Sequence, residues 1–250
     1  MFREAAHGRG GLLLLDGRHL VEEAVGARLQ IRHALVSAAS IDQPDMRRLV
    51  DRLVTNGAAV AAASATAIDA ASPVRSASDI VALADPPASN PARMYTGDAL
   101  VVIAVDVQDP GNLGAIVRVA EAGGASGVVA AGAGANPFGW KALRGSMASA
   151  LRLPIVVDRD ASHAVAEAVR HGCRIVATVP RGRPGHVDAD LRGPVAILIG
   201  GEGAGLSEEM ISAADTPVTI PMAAPVESLN AAVAAAILVY EARRQRGGTV

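Results

Sequence analysis

The sequence predicts an α/β protein: a mostly parallel sheet with helices on both faces, preceded by a smaller α/β unit. Three observations lead there. Short, unbroken apolar runs such as those at 100–106 and 195–200 alternate with helical segments, as expected of strands buried on both faces. Half of the 250 residues are apolar and only 2% aromatic, a composition that suits a folded chain rather than a disordered one. The stretch DPPASNPARMYTGD at 85–98 is rich in turn residues, separates two apolar halves and reads as a linker. The expected organisation is a first domain over 1–90, a linker over 91–98 and a second domain over 99–250.

In the first domain, runs 12–15 and 33–37 are expected as strands, and Arg18–Ala27 and Asp45–Asn56 as helices. The alanine-rich runs 58–63 and 80–84 are further strand candidates. In the second domain, strands are expected at Leu100–Asp106, Gly127–Ala131, Pro154–Val157, Arg174–Val179, Val195–Gly200 and Val218–Met222. Helices are expected between them at Asn112–Ala122, Lys141–Leu151, Ala161–His171 and Ser207–Ala214, with Ser228–Arg246 closing the chain. Ligands of such sheets sit beyond the carboxyl ends of the strands. Three segments leaving those ends have unusual chemistry.

The first is VDVQDPGNLGAIVRVAEAGG, Val105–Gly124. Asp109-Pro110-Gly111 signals a turn and Asn112 is a good N-cap. Leu113, Ile116, Val117 and Ala120 form a buried helical stripe, and Arg118 points away from it. Taken alone, a capping Asn and a solvated Arg account for this segment. The second is VAILIGGEGAGLSEEM, Val195–Met210, in which a buried strand runs into a glycine loop holding one acid, Glu202. It is neither the dinucleotide fingerprint, because Leu206 stands where the third glycine belongs, nor a P-loop, because no Lys-Ser or Lys-Thr follows. The third is IPMAAPVESLNAAVAAAILVYEARRQ, Ile220–Gln245. Ser228 is the expected cap of the last helix, which leaves Glu227 and Asn230 without an assigned task. Arg243, Arg244 and Arg246 suit the helix C-terminus.

These three segments, in this order and spacing over about 98–246, resemble the SpoU/TrmH family of RNA 2'-O-ribose methyltransferases, within the SPOUT superfamily. NLGAIVR matches its first motif, Gly200–Leu206 its second, and Ile220–Met222 with Glu227–Asn230 its third. More loosely, DGRHLVEEAV at 16–25 resembles the small L30e-like RNA substrate-binding domain of that family. The resemblance implies a C-terminal SPOUT domain with a deep trefoil knot that holds S-adenosylmethionine. Gly200, Ile220, Met222 and Leu229, with Thr178 as a further candidate, would bind the cofactor. Arg118 would serve the ribose 2'-hydroxyl and its adjacent phosphate, with Asn112 and Asn230 orienting it, Ser228 fixing the loop and Glu202 one acceptor for the proton. One departure is Ser146-Met147-Ala148-Ser149, where relatives often carry Ser-x-Gly-Ala. The family's members work as homodimers. Ribosomal RNA is the expected target. A tRNA target, a non-catalytic RNA-binding homologue and a nucleotide-dependent α/β enzyme such as a dehydrogenase are the alternatives.

Bulk properties narrow the field. A net charge of −2 is unlike a purely electrostatic nucleic-acid binder, an objection that two chains pooling their arginines beside one RNA would ease. No apolar run approaches the roughly 20 residues of a membrane span. A start without a secretory layout and a single cysteine, Cys173, suggest the cytoplasm. The six histidines lack metal-ligand spacing, so no metal is expected. Trp140, Phe138 and Cys173 read as packing residues. The basic loop RGRPGH at 181–186 reads equally as a phosphate contact or a solvated turn.

Overall fold

The computed structural model describes residues 1–8, 10–74, 78–88, 90–181 and 184–247. The chain forms two compact units, Met1–Ala88 with Phe138–Arg152, and Ser89–Pro137 with Leu153–Val250.

The first unit is built on a four-stranded mixed sheet. Strands β1 (Leu13–Asp16), β2 (Ile31–Ser37), β3 (Ala59–Ala63) and β4 (Ile80–Ala84) lie in the order β1-β4-β2-β3. β4 runs antiparallel to β1 and β2, and β3 runs parallel to β2. Helices α1 (Phe2–Ala6), α2 (Arg18–Gly26), α3 (Pro44–Thr55) and α4 (Ala65–Ala71) accompany it. α3 buries Met46, Leu49 and Leu53, the i, i+3, i+7 stripe of an amphipathic helix. α4 carries no apolar period and is absent from the sequence expectation, yet Ser64 caps it by accepting from the Ala67 amide. Asp16, buried at the end of β1, accepts from the hydroxyls of Ser72 and Ser78, so its burial leaves no orphan acceptor.

The second unit is a six-stranded sheet: β5 (Leu100–Val105), β6 (Gly127–Ala131), β7 (Ile155–Asp158), β8 (Arg174–Thr178), β9 (Val195–Gly200) and β10 (Thr216–Val218). All pairings are parallel, in the order β10-β8-β9-β5-β6-β7. The chain starts in the middle at β5 and moves outward through β6 and β7. It then crosses to lay down β8, and β9 fills the gap between β8 and β5. The strand order reverses at β5 and β9, where a crevice opens beyond their carboxyl ends. Val101, Ile103, Ala196 and Leu198 from these two strands lie in one buried cluster. Each large aliphatic side chain buried there contributes about 1.5–3 kcal/mol.

The helices are α5 (Pro110–Gly123), α6 (Trp140–Gly145), α7 (Ala161–Arg170), α8 (Glu208–Ser212) and α9 (Ala231–Gln245). α6 belongs to the first unit, where Trp140 packs on the cluster of Leu14, Ile68, Val81 and Leu83, and Arg152 pairs with Glu23. The helix expected to run to Leu151 stops at Gly145, because Met147 and Ala148 take left-handed φ angles of 47° and 69°. α5 packs on α9 so closely that a Cβ on Gly123 would run into the Val239 side chain.

Three boundaries differ from expectation in ways that bear on the site. The cap of α5 is Asp109, which accepts from the Asn112 amide, with Pro110 as the first helical residue. Asn112 is thereby inside the helix with its side chain free for other work. The cap of α9 is Asn230, not Ser228: its oxygen accepts from the Ala232 and Val233 amides at 2.9 and 3.3 Å. β10 ends at Val218, so Ile220–Met222 leave the sheet rather than extend it, with Pro221 in the exit. Among the described residues, no helix is long and apolar enough to cross a membrane, and no group of acidic, His or Cys side chains could hold a metal ion.

Candidate active site

β5 and β9 pair in register through Val105 and Gly200, so the chain leaves both strands side by side. The two exits then touch. A Cβ on Gly201 would strike the carbonyl oxygen of Asp106, and one on Gly200 would lie 2.5 Å from the Gly205 carbonyl carbon. Only glycine permits this approach. It brings the loop after β9 against the start of α5.

That approach lets Glu202 reach two groups from the β5 exit. Its Oε2 accepts from the Gln108 amide at 3.2 Å and its Oε1 from Asn112 Nδ2 at 2.5 Å. The Asn112 Oδ1 in turn accepts from Asn230 Nδ2 at 2.9 Å, and the Asn230 oxygen caps α9. The direction of this relay is forced. Amides in the first turn of a helix only donate, so the Asn230 oxygen must face them and its NH2 must face Asn112. Asn112 must then present its own NH2 to the carboxylate. The Asn112 hydrogen bond, helped by backbone amides, outweighs desolvation and holds the Glu202 carboxyl below its ordinary range. Glu202 is therefore ionised at neutral pH and firmly occupied, which makes it a better anchor than base.

Beside the relay lies a cavity of about 420 Å³, within the roughly 300–1,000 Å³ of small-molecule sites. Its walls come from the β8 exit (Thr178–Pro180), the β9 exit (Ile199–Leu206), the segment after β10 (Ile220, Met222) and the entry to α9 (Ser228–Ala231). Gly200, Thr178, Ile220, Met222 and Leu229 all line it, as do Glu202, Ser228 and Asn230. Ile199, Leu206, Ile211, Val218, Ile220, Met222 and Leu229 make the wall largely apolar, while the glycine loop offers backbone hydrogen-bonding groups. An apolar slot edged by main-chain donors and acceptors suits a purine ring with an uncharged edge. The Thr178 hydroxyl is already committed to the Leu198 carbonyl at 2.9 Å, so Thr178 meets the cavity with backbone and methyl. Among the described residues the Ser228 hydroxyl is unengaged and exposed.

Two expected residues lie outside this wall. Asn112 touches the site through the relay. Arg118 sits about 9 Å further along α5 at 1.5 Å per residue. It is exposed and, among the described residues, makes no hydrogen bond or ion pair. Gln108, Val179 and Pro180 belong to the site and carried no sequence signal beyond their neighbours, whereas Leu206 closed the glycine-loop motif.

A profile of the SpoU rRNA Methylase family matches residues 99–240, more than half the chain and the whole of the relay and cavity. The chain belongs to the SpoU rRNA Methylase family. Among SpoU relatives, the 23S rRNA (guanosine(2553)-2'-O)-methyltransferase RlmP of Bacillus subtilis is 32% identical over 92% of this chain and 88% of its own. The SpoU methyltransferase AviRb from Streptomyces viridochromogenes, solved with AdoMet, superposes with a TM-score of 0.87 at 30% identity, over 98% of this chain and 97% of its own. An AdoMet-bound rRNA methyltransferase from Sinorhizobium meliloti gives 0.86 at 27% identity, over 97% and 92%.

Proposed function

We propose that the protein transfers the methyl group of S-adenosylmethionine to a ribose 2'-hydroxyl in ribosomal RNA. The observation that carries this reading is the Glu202–Asn112–Asn230 relay beside the cavity, which unites all three motifs of the methyltransferase resemblance. RlmP, alike over nearly the full length, is named for 23S rRNA ribose methylation, and two full-length structural relatives are AdoMet complexes. The tRNA-modifying enzyme of the family from A. aeolicus covers only 62% of this chain at a TM-score of 0.52, which favours the ribosomal target.

Within this reading the cavity holds the cofactor: Ile220, Met222 and Leu229 pack on it, and the backbone at Thr178 and Gly200 binds its edges. When bound, S-adenosylmethionine supplies an electrophilic methyl on a sulfonium. The chain's own residues then deliver the nucleophile. A ribose hydroxyl is weak at neutral pH and needs its developing negative charge stabilised. Arg118 acts as an electrostatic clamp on the neighbouring phosphate and the developing alkoxide, a guanidinium being a donor without an acceptor atom. Its lack of a partner among the described residues leaves the guanidinium available for that task. Asn112 and Asn230 fix the ribose side of the site, Glu202 holds Asn112, and Ser228 steadies the α9 entry. The proton leaves through phosphate or water, since Glu202 is a poor acceptor.

A homodimer fits the same reading. Val233 and Tyr240 stand exposed on α9 and give a second copy apolar surface to cover. A deep trefoil knot around the α9 entry, an L30e-like RNA-binding role for the first unit and a cytoplasmic location complete the proposal. Its test is methyl transfer from labelled S-adenosylmethionine to rRNA from cells lacking the gene, with the 2'-O-methyl position mapped. Arg118→Ala is expected to lower turnover more than about 100-fold while cofactor affinity stays within twofold. Near-normal turnover would remove Arg118 from the chemistry.

A further inference from the structure

One ion pair stands outside every role assigned above. Arg181 directly follows Thr178–Pro180, which line the cavity from the β8 side, and Glu227 directly precedes Ser228–Ala231, which line it from the α9 side. Guanidinium and carboxylate meet at 3.4 Å, with side chains 83% and 79% exposed. The pair therefore spans the rim of the cavity in open solvent.

Stability does not explain it. An exposed pair at this separation adds little to stability, because water and salt screen it. Its place at the rim is more telling. If the reacting methyl group is held in the cavity, the polyanionic RNA must come to this rim. Among the described residues no cation lines the cavity, and the wall carries one carboxylate, Glu202. Among the described residues adjoining the lining segments in sequence, Arg181 is the one that carries positive charge. Among the described residues at this rim, removing Arg181 would leave the carboxylates of Glu202 and Glu227 facing the RNA within the ~10 Å reach of charge at moderate salt.

We propose that Arg181 is a substrate-positioning residue that takes an RNA phosphate beside the target ribose, and that Glu227 holds it at the rim until RNA displaces the carboxylate. The exchange is favourable by geometry. A guanidinium can engage a phosphate through two parallel short hydrogen bonds, against the single 3.4 Å contact it gives up. Glu227 lends the free protein a pre-oriented cation and lowers its affinity for the wrong anions. The proposal rests on the cavity being the methyl-donor site.

The test uses full-length protein and 23S rRNA transcribed in vitro, with RNA binding followed by filter retention between about 50 and 200 mM salt. Cofactor binding is measured separately by calorimetry with S-adenosylmethionine. Arg181→Gln is expected to weaken RNA binding about three- to tenfold and to flatten the salt slope by about one unit, while cofactor affinity is unchanged. Arg181→Lys should keep the slope, and Glu227→Gln should tighten RNA binding. A wild-type RNA affinity and slope in Arg181→Gln, or a loss confined to cofactor binding, overturns the proposal. A wild-type protein that binds no S-adenosylmethionine overturns the reading of the cavity instead, whatever the RNA result.

Discussion

The two ends of α9 do similar hydrogen-bonding work in opposite surroundings. At its start, Asn230 caps the helix and donates to Asn112 at the edge of the cavity, with its side chain exposed. At its end, Arg246 donates to the carbonyls of Leu191 at 2.9 Å and of Asp98 and Gly193 at 2.5 Å, while Gln245 binds the Ala189 carbonyl and the Leu191 amide. Burial pulls the Arg246 guanidinium below its ordinary range, and among the described residues no carboxylate hydrogen-bonds to it. Backbone carbonyls do that instead. Both ends look alike as helix-terminus chemistry. The solvent-facing one is coupled to a ligand-sized space, and the half-buried one is an anchor. Exposure and a partner on another motif set the first terminus apart from the second.

Substitutions can break this contrast. The largest expected effect is from Asn230→Asp. Aspartate caps a helix as well as asparagine does, so thermal stability should stay within about 1 kcal/mol. The new oxygen faces Asn112 Oδ1, acceptor against acceptor, and frees Asn112 to turn away from Glu202. Methyl transfer should fall about 100-fold. A variant with wild-type turnover would show that the relay is not needed. Next is Arg246→Ala, which leaves three carbonyls without their donor. Chemical denaturation should show a loss of about 2–4 kcal/mol, while the folded protein keeps its cofactor affinity. An affinity that falls in step with stability would erase the distinction between the ends. The smallest effect is from Glu202→Gln, read by pH. The folded-state carboxyl of Glu202 is depressed, so its contribution is present above the ordinary glutamate range and is lost as pH falls through the folded value. Urea titrations at pH 7 and in the acid range should differ less for Glu202→Gln than for wild type. Equal acid sensitivity would mean that the carboxylate is not held by Asn112.

Much of the sheet was legible because β5, β6, β8 and β9 are buried on both faces and therefore read as unbroken apolar runs. Asn112, Glu202 and Asn230 were each visible as odd polar residues beside glycine or apolar stretches. Their bonding to one another was not, because it depends on the Val105–Gly200 register, which no local pattern encodes. The caps were misplaced by two or three residues for a related reason. Ser228 and Asn112 have the right chemistry, but Asp109 and Asn230 have the right backbone angles. α4 escaped notice because alanine and threonine carry no period. The break after Gly145 left one trace, Ala148 standing where relatives often carry glycine, but neither Met147 nor Ala148 by itself favours a left-handed turn. That residues 138–152 cluster with the first unit is a long-range fact with no local trace.

The forced direction of the amide relay has a further consequence. Leu229 and Ala231, the neighbours of Asn230, are both wall residues, so whatever fills the space presses on the very stretch of main chain that sets which way two carboxamides face. Occupancy and proton orientation are thus joined through a single peptide step. A guest that unwound the first turn of α9 would free both carboxamides to rotate, and the ordering felt at Glu202 would vanish without any side chain having been pushed aside.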